Sequence, residues 1–492
     1  MLLLGIDIGT SSIKVSVVDA QSQCCIASAQ YPETEAEIIS LQTGWAEQSP
    51  EIWWQNVKTA ILKLHQTKKY NPLNIKAIGI AYQMHGLVCV DKNQNVLRNS
   101  IIWCDSRAVE IGNKAFDAIG NERCLSNLLN SPGNFTASKL AWIKENEPDV
   151  FDKIDKIMLP GDFIAMKLTN SMTTSISALS EGVFWDFKNN ELSKEVFQYF
   201  GFDTSIIPQQ KDVFSEHGLL SKSIADELSL TPNISITYKA GDQPNNALSL
   251  NVLQPNEVAA TAGTSGVIYG VTDKLVYDKQ SRINSFAHVN HTNEQNRIGI
   301  LLCINGTGIL NKWIKNIAGN NLSYQQLNTL AASVSAGSNG LMMLPFGNGA
   351  ERMLNNKIVQ SHIHNIDFNM HTNAHLFRAA QEGIAFAFRY GLDIMRENGM
   401  NPNIIRAGNA NMFLSDVFIE SFVNATGVAV ELYDCDGSIG AAIGAGIGAG
   451  IYKTTKEAFS NNKPIKTVEP TNQSLYNDLY KNWKDVLAKH IN

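Results

Sequence analysis

The spacing of apolar residues changes along the chain, and each change marks an element. Leu2–Ile8 and Ile13–Asp19 are short, β-branched apolar runs separated by Gly9-Thr10-Ser11-Ser12, the pattern of two strands joined by a polar turn. "SPEIWWQNVKTAILKLHQ" repeats apolar residues at helical spacing (Trp53, Val57, Ile61, Leu64), with Ser49 placed to cap the helix and Pro50 in its first turn. "IKAIGIAY" reads as a buried strand ending at Gln83-Met84-His85-Gly86, and "LVCVD" and "SIIWCD" continue the β pattern. From about Asn113 to Ser235 the chain reads as more helical and irregular. "EVAATAGTSGVIYGV" then restores strand, turn and strand, with Gly263-Thr264-Ser265 at the turn. A long helix over "NAHLFRAAQEGIAFAFRYGLDIMRENG" carries one apolar face, and Gly399 ends it. "IIRAGNA" is a further strand running into a turn and a helix.

The pattern occurs twice. Thr10 and Thr264 hold matching places in two α/β halves, 254 residues apart, which suggests a duplicated domain rather than a solenoid. We place the boundary near Leu248, giving domains 1–247 and 248–492. A chain of 492 residues is long enough for two or three domains, and 44% hydrophobic with 17% charged residues describes a well-packed globular protein. The net charge of −6 and the lack of a Lys/Arg block argue against a nucleic-acid partner. No stretch reaches the roughly 18 to 20 apolar residues that span a bilayer, so no membrane is expected either. "GSIGAAIGAGIGAG" (Gly437 to Gly450) is too short for that and reads as a helix packed closely through small residues. Seven scattered cysteines without a CxxC point to reduced thiols and a cytoplasmic setting. His288-x-x-His291, His362-x-His364 and His371-x-x-x-His375 lack the cysteines or HExxH pattern of a familiar metal site.

A Gly-Thr-Ser turn gathers backbone N–H groups and hydroxyls at one point, where they can hold phosphate oxygens. Two such turns facing each other could grip one nucleotide from both sides. Asp7, at the end of the first strand, could hold Mg²⁺ directly or through water. Lys14 lies on the second strand, where a phosphate contact and a structural role are both open. Asp242 follows a strand and a glycine and precedes a helix, the place where ligands approach open α/β sheets. A carboxylate there can accept the proton of an attacking hydroxyl in phosphoryl transfer, or simply cap the helix. Gln83 and His85 could hydrogen-bond substrate hydroxyls, although a satisfied core histidine is the plainer reading. Trp103, Asp105 and Arg107 form either a sugar surface or a structural ion pair.

These motifs resemble the FGGY carbohydrate kinases over nearly the whole chain. "GIDIGTSSIKVSVVD" and "AGTSGVIYGV" look like the two phosphate motifs. "WAEQSPEIWW", "YQMHG", "WCDSRA" and "LPGDFIAMKLT" resemble further family segments. The resemblance implies two ribonuclease-H-like domains of the actin–hexokinase type with a nucleotide cleft between them. It implies Asp242 as proton acceptor, and Met84, His85, Gln243, Trp103 and Asp105 on the sugar side. Thr10, Ser11, Lys14, Gly263, Thr264, Ser265 and Asn411 would face ATP, and Asp7 would face Mg²⁺. The implied partner is a small-molecule sugar; a homodimer is compatible with the sequence. Two departures stand out. Gln243 replaces the usual Asn after the catalytic Asp, and "AGNANMFLS" (Ala407 to Ser415) replaces a Gly-Gly-Gly-Ala stretch on the adenosine side, leaving the nucleotide preference open. The competing readings are a sister kinase for another ketose, polyol or sugar acid, and an actin-like sensor that does not phosphorylate sugar.

Overall fold

The computed structural model describes residues 1–319 and 321–491. β1 (Leu2–Ile8) and β2 (Ile13–Asp19) pair antiparallel, with Ile8 opposite Ile13 across the polar turn. β3 (Cys25–Tyr31) extends the outer side of β2. α1 (Pro50–Gln66) leads to β4 (Ile75–Tyr82), which runs parallel to β1. A largely helical stretch follows, including α2 (Pro160–Thr169) and α3 (Ile176–Glu181). β5 (Gly218–Leu219) and β6 (Ser235–Gly241) complete a six-stranded sheet of order β5-β6-β4-β1-β2-β3. α4 (Asp242–Ser249) leaves β6 with no intervening loop.

The second half repeats the plan. Its strands are β7 (Val258–Ala262), β8 (Gly266–Thr272), β9 (Asn284–Ala287) and β10 (Ile298–Ile304), followed by α5 (Gly308–Ala318). A separate hairpin of β11 (Met342–Phe346) and β12 (Gln360–His364) precedes α6 (Asn373–Glu397). β13 (Ile404–Gly408), β14 (Ala429–Tyr433), α7 (Gly437–Gly448), β15 (Lys466–Val468) and α8 (Gln473–Ile491) finish the chain. The second sheet has the order β9-β10-β8-β7-β13-β14-β15. Within it, β10-β8-β7-β13-β14 matches β3-β2-β1-β4-β6 of the first sheet. Each set has three antiparallel strands from the hairpin and two more strands parallel to the first. The fold is therefore α/β with two ribonuclease-H-like units.

α1 forms because Trp53, Trp54, Val57, Ala60, Ile61 and Leu64 fall on one face, which is buried against the first sheet. The opposite face of that sheet is covered by α7. This helix belongs by sequence to the second half yet packs on β1, β4 and β6 of the first. Its small residues explain the approach: a Cβ on Gly5 would strike the Ser438 carbonyl, and one on Gly79 the Ala441 carbonyl. Helix backbone and strand backbone thus lie in direct contact. The expected division at 247/248 falls inside α4, and the chain passes to the second sheet only after Ser249. "SIIWCD" is a strand only at Ser100–Ile101, because the chain turns there to bring Asp105 under the loop at Ala46. Among the described residues no helix is long and apolar enough to cross a membrane.

Candidate active site

Three parallel strands, β1, β4 and β6, end at one edge of the first sheet. Asp7 pairs in register with Ala81, and Gly241 with Tyr82, so Asp7, the Gln83-Met84-His85 segment and Asp242 emerge together. Asp242 is the first residue of α4, with Gly241 in the capping position, so its half-buried carboxyl sits at a helix N-terminus. Burial, then the charge of Asp7, pushes its pKa up to about 7. Burial and then Asp436 push Asp7 up to about 6, opposed by Lys14. A Cβ on Gly437 would collide with Asp7 Oδ2, and Asn245 Nδ2 donates to the Gly437 carbonyl at 2.8 Å. The N-terminus of α7 therefore closes the floor beneath Asp7. Carboxylates that raise one another's pKa while offering only oxygen donors suit a hard divalent cation.

The sugar side is built around His85, whose φ of +64° places it in the left-handed region. Its backbone N–H donates to Glu181 Oε1 at 2.7 Å, and Nδ1 lies 3.3 Å from the Glu181 carbonyl oxygen. That carbonyl can only accept, so Nδ1 carries the proton and Nε2 is left as an acceptor. Phe135 and Phe286 flank the ring, with centroids at 4.9 and 5.5 Å. Burial, followed by the cations Lys139 and Arg352, pushes the His85 pKa down to about 3, so the ring is neutral. Lys139 donates to the carbonyls of His85 (2.8 Å) and Ile102 (3.0 Å), and burial pushes its own pKa down to about 7. Met84 is almost wholly buried, its Cγ 2.7 Å from where a Gly241 Cβ would lie. It presses on the residue that carries Asp242 into its helix. The adjacent Gln243, through its backbone and side-chain N–H groups, acts against burial and lowers the Asp242 pKa.

The first hairpin is held by a polar network. Thr10 Oγ1 donates to Gln83 Oε1 (3.0 Å), Gln83 Nε2 to Gln48 Oε1 (3.0 Å), and Gln48 Nε2 to the Thr10 carbonyl (2.8 Å). Trp103 Nε1 donates to Thr10 Oγ1 at 2.9 Å while about half of the residue stays exposed, and Ser11 is exposed beside it. In the second hairpin the carbonyls of Gly263 and Thr264 accept the N–H groups of Gly308 and Ile309, which fixes the turn against α5. The Thr264 side chain is exposed and Ser265 half-buried. Asn411 Nδ2 lies 3.7 Å from where a Gly263 Cβ would be, and Asn411 adopts φ +53°. Asparagine tolerates that region, so it supplies the backbone freedom that glycine would give.

Three expectations are corrected. Asp105 is fully buried, and its carboxylate accepts the Ala46 N–H and two bonds from Arg107 Nε and Nη2; it is a structural ion pair, unavailable to sugar. Lys14 Nζ is 2.6 Å from Asp436 Oδ2 and ties β2 to the start of α7 instead of pointing at phosphate. Gln83 is spent on Thr10 and Gln48. Sequence reasoning missed Glu181 and Lys139, which lie far from the motifs in sequence, and Asn245, which stands three residues after Asp242. It also missed Arg352, whose charge bears on His85 and which has no carboxylate within ion-pair distance among the described residues.

Comparison with known proteins identifies this arrangement. Residues 2–249 match the family model for the N-terminal domain of the FGGY family of carbohydrate kinases, and residues 258–449 match the model for its C-terminal domain. The chain belongs to that family and is a sugar kinase, a phosphotransferase. It is 30% identical over 414 residues to a xylulose kinase from Haemophilus influenzae, covering 82% of each chain. A xylulose kinase from Staphylococcus epidermidis is 29% identical over 506 residues, covering 99% of this chain and 98% of the relative. Among solved structures, a xylulose kinase from Rhodospirillum rubrum superposes with a TM-score of 0.88 at 23% identity, covering 99% of both chains. A gluconate kinase from Lactobacillus acidophilus reaches 0.89 at 20%, covering 100% and 98%. A glycerol kinase from Plasmodium falciparum, solved with ADP, reaches 0.89 at 20%, covering 99% and 98%. Likeness at these identities speaks for the fold alone.

Proposed function

We infer that the protein phosphorylates D-xylulose to D-xylulose 5-phosphate with ATP as donor. The observation that carries the reading is the placement of Asp242. It starts α4 at the edge where β1, β4 and β6 end, beside Asp7 and next to the Met84-His85 segment. The xylulose kinases among the relatives favour this sugar, while gluconate and glycerol kinases share the fold.

In the proposed reaction the sugar hydroxyl at C5 attacks the γ-phosphorus. Asp242 takes the hydroxyl proton, the new O–P bond forms, and the bond to the ADP oxygen breaks. His85 is the acceptor for a second substrate hydroxyl through Nε2, and the exposed face of Trp103 gives the sugar a wall. Thr10 and Ser11 from one hairpin, and Gly263, Thr264, Ser265 and Asn411 from the other, hold the nucleotide. Asp7 is the residue that would hold Mg²⁺, whose chemistry is to neutralise the charge spread over the phosphates. Closure of the halves keeps water, a competing acceptor, away from the γ-phosphoryl group.

Asp242→Asn tests the reading. It should lower sugar-dependent ADP release by at least roughly 10²-fold, the usual share of a positioned general base, with nucleotide affinity by calorimetry nearly unchanged. Turnover within tenfold of wild type would remove Asp242 from the role.

A further inference from the structure

His362 and His364 sit on β12, and His490 lies in the last turn of α8, more than 120 residues later. The fold brings them together: each contributes a ring nitrogen, and these atoms lie within 4.8 Å of one another. The His362 and His490 rings stack at 3.8 Å between centroids, and the His364 ring is 5.2 Å from His490. The kinase chemistry described above uses none of the three.

The hydrogen bonds around these rings favour a ligand. His362 Nε2 is 2.9 Å from the Val359 carbonyl oxygen; the carbonyl can only accept, so the proton is on Nε2 and the Nδ1 lone pair is free. A backbone carbonyl on the far nitrogen is the partner that orients a metal-bound imidazole. His364 Nε2 is shielded from solvent and has no hydrogen-bond partner, an unusual state for a buried polar atom. The nearby pair His371 and His375 makes the contrast. His371 Nδ1 accepts from the Asp367 N–H, and its Nε2 faces the Asn339 carbonyl. His375 Nδ1 faces Thr372, and its Nε2 faces the Asn339 amide. All four of those nitrogens are occupied.

The site also has a place in the packing. β11 and α8 enclose a cavity of about 250 Å³ with α6, lined by Met342, Leu479 and Trp483 among others. Met342 pairs directly with His364 across the hairpin. The seam between hairpin and C-terminal helix is therefore loosely filled, which leaves room for the elements to draw together.

We propose that His362, His364 and His490 form a binding site for a transition-metal dication of the zinc class, which staples α8 to the β11–β12 hairpin. Imidazole donors suit zinc, cobalt, nickel and copper and are poor for Mg²⁺, so this site is chemically distinct from the carboxylates of the cleft. Zinc binds histidine nitrogen at roughly 2.0–2.1 Å, and small rotations of the three rings supply that convergence. A fourth position remains for water or another donor.

The test is a Co²⁺ titration of the untagged full-length protein, with Mg²⁺ in excess to occupy the cleft. One Co²⁺ per chain is expected, with visible absorption of low-symmetry nitrogen coordination that one equivalent of Zn²⁺ abolishes. His364→Ala and His490→Ala should each weaken Co²⁺ affinity by roughly tenfold or more and remove the Zn²⁺-induced rise in melting temperature. Sugar turnover with Mg-ATP should be unchanged in both variants. The His371→Ala/His375→Ala double variant should bind as wild type. The proposal is overturned by absence of saturable binding to wild type, by wild-type affinity in both single variants, or by loss of binding on changing His371 and His375.

Discussion

Asp242 accepts a proton only when ionised, and its surroundings hold its pKa at about 7. The rate constant kcat/KM, which reports the free enzyme, should therefore rise through about pH 7 and level off above it. The same shift acts on stability with a definite sign. A carboxyl whose folded pKa lies above its unfolded value stabilises the fold below its ordinary value near 4 and loses that contribution as pH rises through about 7. Asp242→Asn without ligands should accordingly be more stable than wild type at pH 8, by on the order of 1–2 kcal/mol, and the gap should shrink at pH 5. Unfolding by urea at the two pH values checks this. Asp242, Asp7 and the Met84-His85 pair could be picked out from the sequence because each lies at or just beyond the end of a strand in a recognisable motif. Glu181 was not, since it stands 96 residues from the His85 N–H that it accepts. Glu181→Ala should release the left-handed backbone at His85 and raise KM for sugar roughly tenfold, the value of one such bond, with KM for ATP unchanged. Steady-state kinetics in both substrates separates the two.

At the scale of elements, the glycine-rich α7 matters most to the architecture. Its sequence predicts a helix packed through small residues, and that is what forms. Which sheet it packs on was hidden, because a row of small residues says how close a neighbour comes and not which neighbour it is. Gly5 and Gly79 carry the other half of the contact, and both read locally as ordinary strand residues. Gly79→Val should place side-chain carbon on the Ala441 carbonyl and force helix and strand apart, at about 3 kcal/mol. Because α7 also carries Asp436 and Gly437 to the floor of the cleft, nucleotide affinity should fall with stability, as denaturant unfolding and calorimetry will show. The same reasoning explains the interior boundary at Leu248. Periodicity gave the strand and the helix, whereas the absence of a loop between β6 and α4 is a tertiary fact.

At the scale of the molecule, the halves meet at more than the nucleotide cleft. β9 of the second half is held by the first: Ser177 Oγ donates to the Ala287 carbonyl at 2.9 Å, the Ala287 N–H donates to Ser180 Oγ at 2.9 Å, and Asn130 bonds both backbone groups of Ser285. Ser177, Ser180 and Glu181 share α3, and Phe286 of β9 lies against the His85 ring. The clasp between halves and the grip on His85 are thus one structure, and a motion that opens the halves must pass through it or hinge around it. The duplication was visible in the sequence through its two Gly-Thr-Ser turns. The clasp was not, since its members come from segments without a shared motif.

The sugar is the central claim, and a coupled assay of ADP release with Mg-ATP tests it most directly, across D-xylulose, L-xylulose, D-ribulose, L-ribulose, gluconate and glycerol. D-xylulose should give the highest kcat/KM, and its product should carry phosphate on the C5 oxygen. A higher value for gluconate, glycerol or ribulose, or silence across the panel with nucleotide bound, would contradict the claim.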